Sequence, residues 1–204
     1  LEVMAEGSPE DLVLKALETA EPAGLTALTR AANLAADRTV ELVASLVESG
    51  DVVVLGGEVT DANAAFMTTV GWARTRSRVD TDIQAYHTAN PLRTGIPKEE
   101  LRSRLKLPLA IFTNMLALLV DQGVITDAGS AVRSPDHEVT LSPEQEKSVS
   151  GYVAALEREP YSPPTDNAID PGLLAVMTER GSVVRINDSL VFATSAYTEM
   201  LGRI

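Results

Sequence analysis

The chain has 204 residues, 45% of them apolar, a mean hydropathy of +0.05 and a net charge of −12. It can bury a core, built from Leu, Val, Ala and Met because aromatics are only 4%. No apolar run approaches the roughly 18–20 residues of a membrane span, and no basic-then-apolar leader opens the chain. With no Cys there are no disulfides and no thiolate metal sites, which fits the cytoplasm. Opening on Leu1 rather than Met points to a segment of a longer protein. The charge is uneven: residues 8–61 carry −7, residues 62–141 carry +1 and residues 142–204 carry −4. Phosphate binding runs on Lys and Arg displacing counterions, so any role with RNA concentrates in the middle third.

In chain order, Ser8-Pro9-Glu10 reads as an N-cap with proline at the first helical position. Val40, Val43 and Val47 form a helical stripe flanked by Leu42 and Leu46. Gly50 stops that helix, Val52-Val53 starts a strand, Gly56-Gly57 turns it, and Val59 begins its return. A long helix follows over about 62–89. Asn90-Pro91-Leu92-Arg93-Thr94-Gly95 is a rigid turn into a helix with Pro97 first and Glu99 and Glu100 at its positive end. Phe112, Met115, Leu116 and Leu119 mark the next helix. Gly123, Val124-Ile125, Gly129 and Val132 then repeat the stop, strand, turn and strand.

Ser142-Pro143-Glu144 with Gln145 is a capping box ahead of Val149, Tyr152, Val153 and Leu156. Pro160, Pro163, Pro164 and Asp166-Asn167 replace a second helix, and a third restarts at Asp170-Pro171. Met177, Gly181, Val183-Val184, Asn187 and Leu190-Val191 give the helix-to-hairpin pattern a third time. A helix, glycine stop, strand, turn and strand is the back half of a winged helix. The expected fold is therefore mainly α with small β-wings (α+β): three tandem winged-helix domains at 1–61, 62–141 and 142–204. Units of about 60 residues bury only about 60% of their chain surface, so they lean on one another.

The string Tyr86-His87-Thr88-Ala89-Asn90-Pro91-Leu92-Arg93-Thr94-Gly95-Ile96-Pro97-Lys98-Glu99-Glu100-Leu101-Arg102-Ser103-Arg104-Leu105 resembles the segment joining the first two helices of the second winged-helix domain in the bacterial selenocysteine-specific elongation factors, the SelB family. Ser134-Pro135-Asp136-His137-Glu138-Val139 is similar to that domain's wing exit. Leu173-Leu174, Gly181-Ser182-Val183-Val184-Arg185 and Leu190-Val191-Phe192 resemble the domain after it. The resemblance implies an arm behind a GTPase body that delivers selenocysteinyl-tRNA to the ribosome at UGA. It also implies an mRNA hairpin held mainly by a fourth winged-helix domain, which would begin where the chain reaches Ile204. GTP and magnesium belong to the parent protein. These residues hold no G-x-x-x-x-G-K-[ST] loop, no cofactor and no catalytic site, so the segment is not itself an enzyme, and a monomer is expected.

Candidate RNA contacts are Arg74, Arg76, Arg78, Arg93, Lys98, Arg102, Arg104 and Lys106. The alternative is a solvated surface paired with Asp80, Asp82, Glu99 and Glu100. Arg102 and Arg104 lie two apart and cannot share a helical face. His87 and His137 lack partners at metal-ligand spacing and read as structural. Trp72 could stack on a base but suits an anchor between repeats. Gly56-Gly57 is a hairpin turn rather than a phosphate loop, and no acid–base dyad or nucleophile context appears.

Two rival functions remain. One is an acidic tandem winged-helix scaffold for protein partners, of the chromosome-condensation-accessory type. The other is a DNA-binding regulator. Its reading helices would begin Asp37-Arg38-Thr39, Pro108-Leu109-Ala110 and Pro171-Gly172-Leu173, which hold a single Arg among nine residues.

Overall fold

Three helices of this chain end in one geometry. Gly50, Gly123 and Gly181 follow their C-caps with φ of +83°, +66° and +69°. The amide after each glycine reaches back to the buried residue four positions before it: Asp51 to Leu46, Val124 to Leu119 and Ser182 to Met177, each at 2.9 Å. These bonds satisfy carbonyls that the last turn leaves open, and glycine takes the left-handed position at no steric cost.

The computed structural model describes residues 8–162, 169–187 and 190–202. The chain is mainly helical with small antiparallel sheets, as winged-helix folds are. Its described residues gather into two compact units. One runs to Ala85 and adds Ile96–Pro135; the other joins Tyr86–Gly95 to the residues from Asp136 onward. Pro163, Pro164 and Asp166-Asn167, in the stretch expected to replace a second helix, lie outside the described residues.

The first unit opens with α1 (Pro9–Ala20), capped by Ser8 in a reciprocal box with Asp11. β1 (Ala23–Gly24), α2 (Leu25–Ala32), α3 (Ala36–Glu48), β2 (Val52–Leu55) and β3 (Ala65–Thr68) follow. The three strands pair antiparallel in the order β1-β3-β2, with Leu55 opposite Ala65 and Ala23 opposite Phe66. The returning strand is thus 65–68, not the stretch after Val59. The long helix α4 (Thr69–Ala89) starts at Thr69, not at 62. Asp61 explains the shift: its carboxylate accepts the Glu58 amide and its carbonyl accepts the Ala64 amide, folding residues 58–64 into a loop. All four β3 residues are buried, so no polar alternation marks the strand in the sequence. The core gathers Val13, Leu17, Leu28, Leu42, Val43 and Phe66. On α3 the buried stripe is Thr39, Leu42, Val43 and Leu46, one position off the valine stripe. Thr39 can be buried because its hydroxyl donates to the Ala35 carbonyl at 3.0 Å.

β4 (Ile96–Pro97), α5 (Lys98–Leu105), α6 (Leu109–Asp121), β5 (Thr126–Ala128) and β6 (Ala131–Arg133) complete this unit. A shift of 73 residues carries β1, α2 and α3 onto β4, α5 and α6, and the second sheet has the same order, β4-β6-β5. The two copies are tied together. Asn114 Nδ2 on α6 donates to the carbonyls of Leu55 (3.4 Å) and Asn63 (3.2 Å), and Trp72 Nε1 donates to Gln122 Oε1 at 3.3 Å.

The second unit holds α7 (Pro143–Arg158), α8 (Pro171–Glu179), the hairpin β7 (Val183–Arg185) with β8 (Val191–Ala193), and α9 (Thr194–Leu201). Ser142 and Gln145 form the expected capping box, and Asp170 caps α8. Leu156, Met177, Val183 and Val191 form one apolar cluster; Leu92 and Val139 flank another built on Leu141, Leu173 and Val176. The Thr94 hydroxyl bonds to Glu179, and Arg180 donates to the Val139 carbonyl at 2.9 Å. The helix α9 has no counterpart in the sequence reading. It leaves β8 as α4 leaves β3: the Thr194 and Thr69 hydroxyls both bond to the carbonyl of the helix-closing glycine.

Candidate nucleic-acid interface

Three of the eight candidate basic residues line one cleft of about 510 Å³ in the first unit. Arg74 and Arg78 stand one turn apart on α4, and Lys106 sits in the turn between α5 and α6. Pro108 and Ile111 also line it, so the first turn of α6 is part of the wall. That turn has no side-chain cap, and its free amides add partial positive charge.

Among the described residues Glu21 is the one carboxylate in the cleft lining, and it is engaged. Its Oε2 accepts the Thr68 amide at 2.8 Å and the Thr68 hydroxyl at 2.9 Å, while Oε1 pairs with Arg74 at 3.0 Å. Its side chain is 10% exposed, against 69% for Arg74. Gly71 permits this approach, since a Cβ there would lie 1.8 Å from Glu21 Oε1. Arg78 donates to the Arg104 carbonyl at 2.7 Å and stands 3.9 Å from Asp82. The Lys106 ammonium is exposed and makes no ion pair with a described residue. Lys106 also holds φ +57°, a left-handed position that costs a residue with a Cβ about 1 kcal/mol. Its counterpart 73 residues earlier is Asn33, at φ +53°, a residue that tolerates the conformation.

The other five candidates go elsewhere. Arg76 is exposed on α4 but does not line the cleft. Arg102 bonds to Glu99, and the two shift each other: the guanidinium holds the Glu99 carboxyl below the usual range, and the carboxylate raises Arg102. Arg104 pairs with Glu100 at 2.6 Å and stands 3.8 Å from Asp82. Lys98 bonds Asp127 at 2.8 Å and holds that carboxyl low. Arg93 is exposed in the second unit. Such exposed pairs are worth little individually, and the cleft is the place where three of the eight candidates come together.

Residues 81–133 of the 204 match the family model described as elongation factor SelB, winged helix. No curated protein matches the chain. The chain carries a SelB-like winged-helix region. The matched span runs from within α4 to the end of β6 and contains Lys106, Pro108 and Ile111 of the cleft wall. Arg74 and Arg78 precede it on the same helix. A winged-helix domain is a non-catalytic fold, and none of the described residues forms a group of three or more His, Asp or Glu able to hold a metal ion. No single helix among them is long and apolar enough to cross a membrane.

The α6 helix of the SelB-like region presents an apolar outer face. Leu109 and Val120 are 65% and 39% exposed, and with Phe112 and Leu116 they line a groove of about 550 Å³ bordered by Lys98 and Asp127. Asn114, which could have read a base edge, is spent on the Leu55–Asn63 loop. Trp72 is 4% exposed and bonded to Gln122, which removes it as a stacking platform. His87 is buried and stacks on His137 with centroids 3.5 Å apart, and His137 Nε2 donates to the Arg93 carbonyl at 3.0 Å. Neither Asn114 nor Glu21 was singled out from the sequence. Their partners lie 47 or more positions away, and no local signal announces them.

Proposed function

We propose that this chain is an arm segment of a SelB-like elongation factor: three tandem winged-helix repeats that couple an mRNA-hairpin-binding domain to a GTPase body delivering selenocysteinyl-tRNA at UGA. The observation that carries this reading is the SelB winged-helix match at residues 81–133. The 73-residue shift that relates the first repeat to the second supports extending it toward the N-terminus. The shared glycine closure and threonine exit support extending it to the third. The arm acts in the cytoplasm as a monomer, with GTP and magnesium held by the body. Its own task is geometric. Ultraviolet crosslinking of the protein in its native cells, followed by sequencing of the bound RNA, tests this. Selenocysteine tRNA and hairpins downstream of in-frame UGA codons are the expected recoveries; genomic DNA, or no translation RNA, overturns the reading.

A second reading, an acidic scaffold for protein partners, is favoured by the apolar groove on α6, since exposed apolar patches mark interaction surfaces. Affinity purification that returns a stoichiometric protein partner and no RNA would prefer it.

A further inference from the structure

We propose that the cleft between α4 and the α5–α6 turn is a phosphate subsite, in which Lys106, Arg78 and Arg74 hold phosphate oxygens over the first turn of α6. The proposal rests on the translation-factor reading only for the source of the phosphates, an RNA backbone. The chemistry comes from the cleft itself.

Four observations converge. The lining carries three cations and one carboxylate, and that carboxylate is already bonded to Thr68 and Arg74. The first turn of α6 has no side-chain cap, and Pro108 and Ile111 at that end of the helix line the cleft. Oxyanions are bound by the amides of such a turn and by guanidinium groups, which match phosphate geometry. Lys106 is held in a backbone conformation that disfavours it, with its ammonium in no ion pair with a described residue, whereas the equivalent turn of the first repeat uses Asn33 and ends on Ala35. A strained residue kept where a tolerant one would serve marks a functional demand. The first repeat also lacks the cations: 73 positions before Lys106, Asn33 brings none.

The acidic remainder of the chain sets the limit of the site. With Asp82 shared between Arg78 and Arg104, and a net charge of −12 over the chain, the subsite engages a few phosphates rather than a long duplex.

The test uses the full chain with two probes: sodium phosphate alone, and a fluorescently labelled 20-nucleotide RNA hairpin. Amide resonances are followed by nitrogen–proton NMR and RNA affinity by anisotropy between about 50 and 200 mM salt. Both probes should move the amides of Lys106, Leu107, Leu109, Ala110 and Ile111. Lys106→Asn should weaken RNA binding roughly five- to tenfold and reduce the salt slope by about one. It should also raise Tm, because asparagine accepts the left-handed turn, so the binding loss is not unfolding. Lys106→Arg should retain binding, Arg78→Gln should weaken it, and the exposed Lys15→Gln on α1 should not. Phosphate shifts at these amides with no RNA binding would support the subsite and count against the translation reading. RNA binding with an unchanged slope in Lys106→Asn, or phosphate shifts spread away from the α6 start, would overturn the subsite.

Discussion

From the short first strand to the glycine closure the first and second repeats are built on one plan; they differ at the turn between their second and third helices and in their wings, where residues 56–64 join β2 to β3 but only 129–130 join β5 to β6. Each has a two-residue strand, an eight-residue helix, a left-handed C-cap and a thirteen-residue helix closed by glycine. Equivalent core positions are filled by similar side chains: Leu28 and Leu101, Leu42 and Met115, Leu46 and Leu119 are all buried. The turn between the second and third helices departs from this. The first repeat places Asn33 there, and the second places Lys106 in the same strained backbone and turns its cation toward a cleft. A duplicated scaffold holds its core and its caps, and its exposed turns are where a new chemical group can be introduced at small cost.

The largest test of that equivalence is in the core. Leu42→Ala and Met115→Ala should each cost about 2–5 kcal/mol in urea unfolding. Because both repeats belong to one compact unit, each should lower the same transition; two separable transitions would break the comparison. Next in size are Gly50→Ala and Gly123→Ala. A Cβ at either meets nothing within 4 Å, so the cost is conformational alone, about 1 kcal/mol and equal in the two repeats. Unequal losses would mean that the two closures differ in ways their hydrogen bonds do not show.

The turn itself supplies the next comparison. Asn33→Lys should destabilise by several tenths of a kcal/mol to about 1, and Lys106→Asn should stabilise by a similar amount. Differential scanning calorimetry reads both, and the same sign for both would refute the strain assigned to Lys106. The smallest effect is at the rim of the α6 groove. Lys98 holds the Asp127 carboxyl below its ordinary value, so Lys98→Met should move its titration upward in side-chain NMR. A carboxyl depressed by folding adds stability above its unfolded pKa, and that stability is lost as pH falls through the folded value. Both residues are partly exposed, so the pH dependence should be slight and should fade in high salt.

Much of this scaffold was legible because its signals are local. The Gly50, Gly123 and Gly181 closures and the Ser8 and Ser142 caps depend on residues within six positions of one another. The SelB-like stretch was legible as a whole string over Tyr86–Leu105, and it falls within the span matched by the family model. What stayed hidden was non-local. The strand 65–68 is buried along its whole length, so it shows no alternation, and its pairing with β1 spans more than 40 residues. The gathering of Arg74 and Arg78 with Lys106 needs the α5–α6 turn brought against α4, and the spacing of the eight basic residues does not encode that. The two-residue strands β1 and β4 lie below the length at which periodicity can speak.

The most direct measurement is incorporation of radioactive selenium into cellular protein, with and without the gene that encodes this chain. An arm of a selenocysteine-specific elongation factor predicts that the labelled selenoproteins disappear when the gene is deleted and return when it is supplied. Undiminished labelling in the deletion strain would contradict it.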